Sequence, residues 1–267
     1  MQFYTIKYSS VVLTLISALS LTTINAASQN TRHSPTLNAT TSLFDNAFIK
    51  NLEISASGGT NWVQSSGTHP MISPLKTDNN LVSTSSNDGS WKVGLGYYLF
   101  DEQLSTRQVI NHLLFEINVY NLATTLNGNV WRNQTSPLSN YLFSATLSSS
   151  RLMFDFKPTL FTAKKFSPYL IFGVGPTWNT MSYSQAAIGA GIDPASALQL
   201  GNNTTTQVAW DLGAGLNIAL TDRLNATVEY VYAFLGNGSP ANITNLSSSP
   251  HFSFQTQSLL LGLSLKL

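Results

Sequence analysis

The last nine residues, Leu259-Leu260-Leu261-Gly262-Leu263-Ser264-Leu265-Lys266-Leu267 (LLLGLSLKL), decide the fold. Every odd position is leucine, while Gly262, Ser264 and Lys266 stand between them. Successive side chains of a strand point to opposite faces, so a strand here has one leucine face and one mixed face. A helix would spread the leucines around its axis and bury Lys266 among them. The alternation predicts a strand.

The same period recurs upstream. Leu152, Phe154, Phe156 and Leu160 oppose Arg151, Met153, Asp155 and Lys157. Val208, Trp210, Leu212, Ala214, Leu216 and Ile218 oppose Ala209, Asp211, Gly213, Gly215 and Asn217. Leu224, Ala226, Val228, Tyr230, Tyr232 and Phe234 oppose Asn225, Thr227 and Glu229. Trp91–Leu99, Leu113–Val119, Leu170–Trp178 and Leu52–Trp62 alternate in the same way. With the tail, these make eight expected strands.

The connections alternate in length. Ser65–Ser90, Thr125–Ser150, Asn179–Thr206 and Leu235–Ser253 are long and rich in Ser, Thr, Asn and Gly; Asp101–Gln108, Thr162–Ser167 and Thr221–Arg223 are short. Long loops alternating with short turns over an even number of strands point to an outer-membrane β-barrel, short turns on the periplasmic side and long loops outside. Lipid cannot hydrogen-bond a free sheet edge, so a membrane sheet must close on itself. The expected fold is all-β: a closed antiparallel transmembrane β-barrel of eight strands in an up-and-down meander, with the leucines toward hydrocarbon and the mixed face in the lumen. A soluble β-sandwich or lipocalin-like barrel would place the apolar face inside and leave the charges in solvent.

Composition agrees. The chain has 267 residues, 43% of them hydrophobic and only 9% charged, against about 25% charged for a soluble domain. There is no cysteine, and the formal net charge is +1. That balance gives no reason to expect a nucleic-acid partner. At the N-terminus, Lys7, the apolar run Val11–Leu21 and Asn25-Ala26-Ala27 predict a signal peptide over residues 1–26, cleaved after Ala26. Residues 27–50 are expected as a periplasmic lead-in and 51–267 as the barrel.

The tryptophans follow the same topology. Trp62, Trp91, Trp178 and Trp210 share the lipid-facing parity and fall at the extracellular ends of their strands, where an aromatic girdle is expected. The expected inward charges are Glu53, Lys92, Glu116, Arg151, Asp155, Lys157, Asp211, Glu229 and Lys266. Eight strands enclose a space just wide enough for side chains to fill. Isolated ions there would be costly, so a salt-bridged plug is expected; the alternative is a narrow ion path lined by the same residues.

Chemistry is sparse. His33, His69, His112 and His251 have no metal-ligand spacing, and no phosphate loop, nucleophile elbow or metalloprotease motif is present. No cofactor, metal or catalytic site is expected. His251-Phe252-Ser253 places a base and a hydroxyl on one face of a strand, as nucleophile activation requires. It resembles part of the lipid A deacylase site, but continues Phe254-Gln255-Thr256 where that motif has Asn and small residues.

Four stretches carry a family resemblance: Ser167-Pro168-Tyr169-Leu170-Ile171-Phe172-Gly173-Val174-Gly175, Asp211-Leu212-Gly213-Ala214-Gly215-Leu216, Leu220-Thr221-Asp222-Arg223-Leu224 with Glu229-Tyr230-Val231-Tyr232, and Leu261-Gly262-Leu263-Ser264-Leu265. In this order they resemble the small outer-membrane β-barrels of the opacity-protein-like or OmpA/OmpX-like kind. The resemblance covers Pro168–Leu267 and implies an architecture rather than an activity. Such barrels commonly end in phenylalanine, which resembles a signal for the assembly machinery; Leu267 stands there in this chain. The resemblance implies a monomer in the bacterial outer membrane. Its expected partners are outer-membrane lipid and lipopolysaccharide, the barrel-assembly machinery, and a host-surface or other ligand met by the long loops. The expected role is structural and adhesion-like, with a small porin or a lipid A-modifying enzyme as the alternatives.

Overall fold

A computed structural model of the chain describes residues 47–69, 79–83, 86–100, 110–131, 139–188, 197, 199–241 and 251–267. The expected signal peptide lies outside the described residues. So does most of the expected lead-in, of which Ala47–Lys50 forms a four-residue helix, α1.

The sheet closes on itself. Strand β1 (Leu52–His69) pairs with β9 (His251–Lys266) in one unbroken antiparallel register, from Glu53 opposite Lys266 to Thr68 opposite His251. Between them run β3 (Ser86–Phe100), β4 (His112–Trp131), β5 (Ser139–Thr159), β6 (Phe166–Ala187), β7 (Gln199–Ala219) and β8 (Leu224–Gly238), each paired antiparallel with the next. A short β2 (Asn79–Ser83) pairs with the tips of β1 and β4, in line with β3. Thus β2 and β3 together fill one position, and the barrel has the eight-stranded meander the alternation predicts. Closure pairs every strand with two neighbours along its turn-proximal part, although β7 before Trp210 extends beyond its ladder with β8.

The strands are far longer than expected. β4 to β7 have 20, 21, 22 and 21 residues, whereas a tilted strand crosses a bilayer in about 9–11. The extra length comes from stretches expected as long loops. Most of Thr125–Ser150 belongs to β4 and β5, and most of Asn179–Thr206 that is described belongs to β6 and β7. These stretches are rich in Ser, Thr and Asn, residues that favour turns. In β4, β5 and β6 they are strands whose alternate residues are buried inside the barrel, while residues 201–206 of β7 are largely exposed.

The short connections are tight. Ala163 and Phe166 bridge around Lys164-Lys165. At 220–223, Thr221 Oγ1 accepts from the Leu224 N–H at 3.0 Å, a side-chain turn closure. In β8 the register slips between Phe234 and Gly236; Gly236 has φ 76°, a left-handed backbone that glycine adopts without strain.

Candidate functional site: the filled interior

Alternation divides every strand into an outward and an inward series. Near the short turns, the outward series is apolar and exposed. It includes Leu95, Ile117, Val119, Phe154, Phe156, Phe172, Val174, Leu212, Leu259, Leu261 and Leu263. The inward series there holds the ions. Glu53, Lys92, Glu116, Arg151, Asp155, Lys157, Asp211 and Glu229 are all buried, and Lys266 is half-buried.

The register brings several of them into one row. Glu116 lies opposite Asp155, Asp155 opposite Gly173, and Gly173 opposite Asp211, on four successive strands. Gly173 is necessary to this row: a Cβ there would strike the carboxylates of both Asp155 and Asp211. Gly94 has the same function for Glu116, Asn118 and Ser55.

Two lysines hold the centre. Lys92 pairs with Glu229, and Lys157 pairs with both Glu116 and Glu229, the latter at 2.8 Å. Tyr169 Oη donates to Glu229 Oε1 at 2.8 Å, and Ser55 Oγ donates to Glu116. Asn118 Nδ2 donates to Glu116 Oε2 at 2.9 Å and to Asp155 Oδ2 at 2.6 Å. Tyr120 Oη donates to Asp155 Oδ2 at 3.0 Å. Nearer the short turns, Tyr98 Oη donates to Glu53 Oε2 at 2.6 Å, and Lys266 Nζ lies 4.9 Å from the centre of the Tyr98 ring. Buried ions cost far more when a partner is missing than when geometry and hydrogen bonds are complete, so the loss of any one member should be costly to this network.

The remaining two ions, Arg151 and Asp211, are held differently. The Arg151 guanidinium stacks on the Tyr120 ring at 4.3 Å. Its Nε and Nη1, and both carboxylate oxygens of Asp211, have no hydrogen-bond partner among the described residues. Salt bridges join Lys92, Lys157, Glu116 and Glu229, and Arg151 and Asp211 lie outside them. Sequence reasoning also missed Tyr98, Tyr120 and Tyr169 as part of the network. Their signal was available: each shares the parity of an inward charge or glycine on its own strand.

Further from the short turns the interior changes character. A belt of uncharged polar groups comes first: Ser149 Oγ donates to Asn179 Oδ1 at 2.7 Å, Asn179 Nδ2 to the Leu235 carbonyl at 2.8 Å, and Ser258 Oγ to Asn61 Oδ1 at 3.0 Å. Beyond it the inward residues form one apolar cluster, including Leu122, Leu126, Phe143, Leu147, Met181, Tyr183, Leu235, Phe252 and Phe254. Phe143 stacks on Tyr183 at 5.8 Å between ring centres, and Phe252 on Phe254 at 6.2 Å. Burial raises the Tyr183 phenol above its ordinary range, against a hydrogen bond from Gln185 Nε2 at 2.8 Å. The sequence reading placed no apolar layer here.

Two small cavities border the charged interior. A cavity of about 20 Å³ borders Glu53, Lys92, Tyr98, Lys157, Tyr169 and Glu229, and one of about 10 Å³ borders Arg151, Tyr120, Ser90 and Ser258. Each has room for about one water.

The four tryptophans lie on the outward face. Trp91, Trp178 and Trp210 are about two-fifths exposed and Trp62 is half-buried. Trp91 and Trp178 share one register row, through Asn121 and Ser150. His251 is exposed, and its Nδ1 lies 2.8 Å from Ser239 Oγ, so the hydroxyl partnered with this histidine is on β8's exit rather than at Ser253.

No family profile matches the chain, and no curated protein matches it by sequence. Solved structures do. The outer-membrane protein OprG of Pseudomonas aeruginosa superposes with a TM-score of 0.50 at 13% identity, over 80% of this chain and 96% of that one. Neisserial surface protein A gives a TM-score of 0.37 at 14% identity, over 81% and 97%. The attachment invasion locus protein Ail of Yersinia pestis gives 0.38 at 10%, over 80% and 99%. At such identities the likeness is one of fold. By that fold, the chain is a small eight-stranded barrel of the outer-membrane type.

Proposed function

We propose that this protein is a non-conducting, non-enzymatic barrel of the bacterial outer membrane that serves membrane structure and surface interaction. The barrel stands in the membrane by its apolar outward belt. A ring of leucine, valine and phenylalanine around an ionic interior reverses the soluble arrangement and suits hydrocarbon on the outside. Trp62, Trp91, Trp178 and Trp210 then serve as the interfacial girdle on the outer side. The strands rise beyond that girdle and carry the remaining connections away from the lipid.

One observation carries the non-conducting reading: the interior is filled twice over. A lysine–glutamate network occupies the lipid-clad half, and an apolar cluster closes the half above it. An ion crossing this interior would have to pass a dry apolar layer after displacing buried salt bridges, both of them costly. The surface role is supported by the long strands, which make a rigid stalk for the connections at their far ends; scaffolded loops commonly hold binding function. Those connections lie largely outside the described residues.

Planar-bilayer recording tests the first part. The purified protein is expected to give no unitary conductance, and steady ohmic channels would replace this reading with the porin. Exchange of the connections between β4 and β5, β6 and β7, and β8 and β9 tests the second part. Binding of the protein-bearing cell to host surface is expected to fall while heat-modifiable migration persists; unchanged binding overturns the adhesion-like role.

A further inference from the structure

The turn end of the barrel carries a group of residues that neither the network nor the apolar cluster uses. Between β5 and β6 the chain runs Leu160-Phe161-Thr162-Ala163-Lys164-Lys165, and between β7 and β8 it runs Leu220-Thr221-Asp222-Arg223. The two turns are neighbours, since the Ala219 N–H donates to the Lys165 carbonyl at 2.9 Å. Together they expose three cations, Lys164, Lys165 and Arg223, against one anion, Asp222. Directly beside them Phe161, Phe166 and Leu220 are 55%, 50% and 51% exposed. Lys164 has φ 56°, the left-handed region that favours glycine, yet the position carries a long cationic side chain.

Large apolar side chains half out of the protein are poorly suited to water, and here a local excess of positive charge sits beside them. They match a bilayer interface. Apolar side chains such as phenylalanine and leucine bury at the edge of the acyl region, lysine and arginine stems lie along apolar surface while the charged heads reach out, and those heads attract anionic headgroups. We propose that the rim formed by Lys164, Lys165 and Arg223, anchored by Phe161, Phe166 and Leu220, binds the phosphates of anionic phospholipid in the periplasmic leaflet. This rests on the membrane orientation proposed above.

The test folds the full chain into phosphatidylcholine nanodiscs doped with phosphatidylglycerol, and measures lipid retained on the released barrel by native mass spectrometry. The protein is expected to retain phosphatidylglycerol over phosphatidylcholine. Each neutralised cation should lower that preference about fivefold, and the triple variant Lys164→Gln, Lys165→Gln, Arg223→Gln about a hundredfold. Raising the salt should erode the wild-type preference, and Thr146→Gln at the opposite end should leave it unchanged. A triple variant with the wild-type preference overturns the proposal. If the triple variant does not fold, Arg223→Gln alone reads the same ratio, with a fivefold loss expected and no loss decisive against it. A wild-type chain that forms no heat-modifiable barrel in phosphatidylcholine alone counts instead against the orientation, a separate outcome from the loss of lipid preference.

Discussion

Three long strands of this barrel, β4, β5 and β6, obey two opposite rules along their length. On β5, Phe154 and Phe156 point outward while Asp155 and Lys157 point inward; about ten residues earlier on the same strand, Ser144, Thr146 and Ser148 point outward while Phe143, Ala145 and Leu147 point inward. β4 makes the same exchange between Val119 and Leu122, and β6 between Trp178 and Met181. The backbone does not slip to achieve this. β4 and β5 stay paired without a break from His112 to Val130. What reverses is the phase of the hydrophobic alternation, and it reverses beside the register row that holds Trp91 and Trp178. A single closed sheet thus meets lipid with one phase and water with the other. The solvent outside, rather than any change in architecture, dictates which face is apolar.

The two halves should therefore break by different means. The lipid-clad half depends on charge balance. Lys157→Met leaves Glu116 and Glu229 buried with one lysine fewer, and should cost about 3–5 kcal/mol. Urea unfolding of the lipid-reconstituted protein, read by gel mobility, measures it. Adding Glu116→Gln to that variant should recover a large part of the loss, because the uncompensated charge goes with it. If Lys157→Met were near neutral, the ionic network would not be what holds this half together.

The water-clad half depends on volume. Phe254→Ala removes a fully buried ring that stacks on Phe252, and should cost about 3–5 kcal/mol. The effect should also be local. Amide hydrogen exchange should rise in the far parts of β1, β8 and β9, while Leu260–Leu265 stays protected. Uniform loss of protection along β9 would mean that the two halves melt as one unit.

Much of this was legible in the sequence, and the missed part has a physical reason. LLLGLSLKL could be assigned its faces at once: Leu259, Leu261 and Leu263 are exposed and Ser264 is buried. The eight inward charges of the strand interiors could be placed by parity alone. The segment Phe143–Ser149 alternates just as clearly, but in the other phase. Against a lipid template, its outward serines and threonine read as a loop, and its apolar residues look like accidents of that loop. The pairing of ions was also beyond reach. Lys92 and Glu229 are 137 residues apart in sequence, and their meeting depends on register and strand tilt, which alternation does not encode. Parity says which way a side chain points, but not at what height it meets its partners. For that reason the lumen could be listed before its wiring was known, and Arg151 and Asp211 could be expected in salt bridges they do not make.

The sharpest probe of the phase reversal places the same substitution on the same face of one strand, above and below the tryptophans. Phe154 and Thr146 both point outward from β5. Phe154→Arg puts a guanidinium into hydrocarbon and should cost about 2–4 kcal/mol, depending on its depth. Thr146→Arg puts it into water, and should shift stability by no more than about 0.5 kcal/mol. Both are read by the same urea titration in the same lipid. The smaller number is the more informative one. A large penalty at Thr146 would mean that lipid reaches this height, so that the polar outward face of β4 to β7 is not water-clad and the two halves do not differ in their surroundings. A negligible penalty at both sites would mean that neither half is clad in lipid, and the apolar belt would need another partner to cover it.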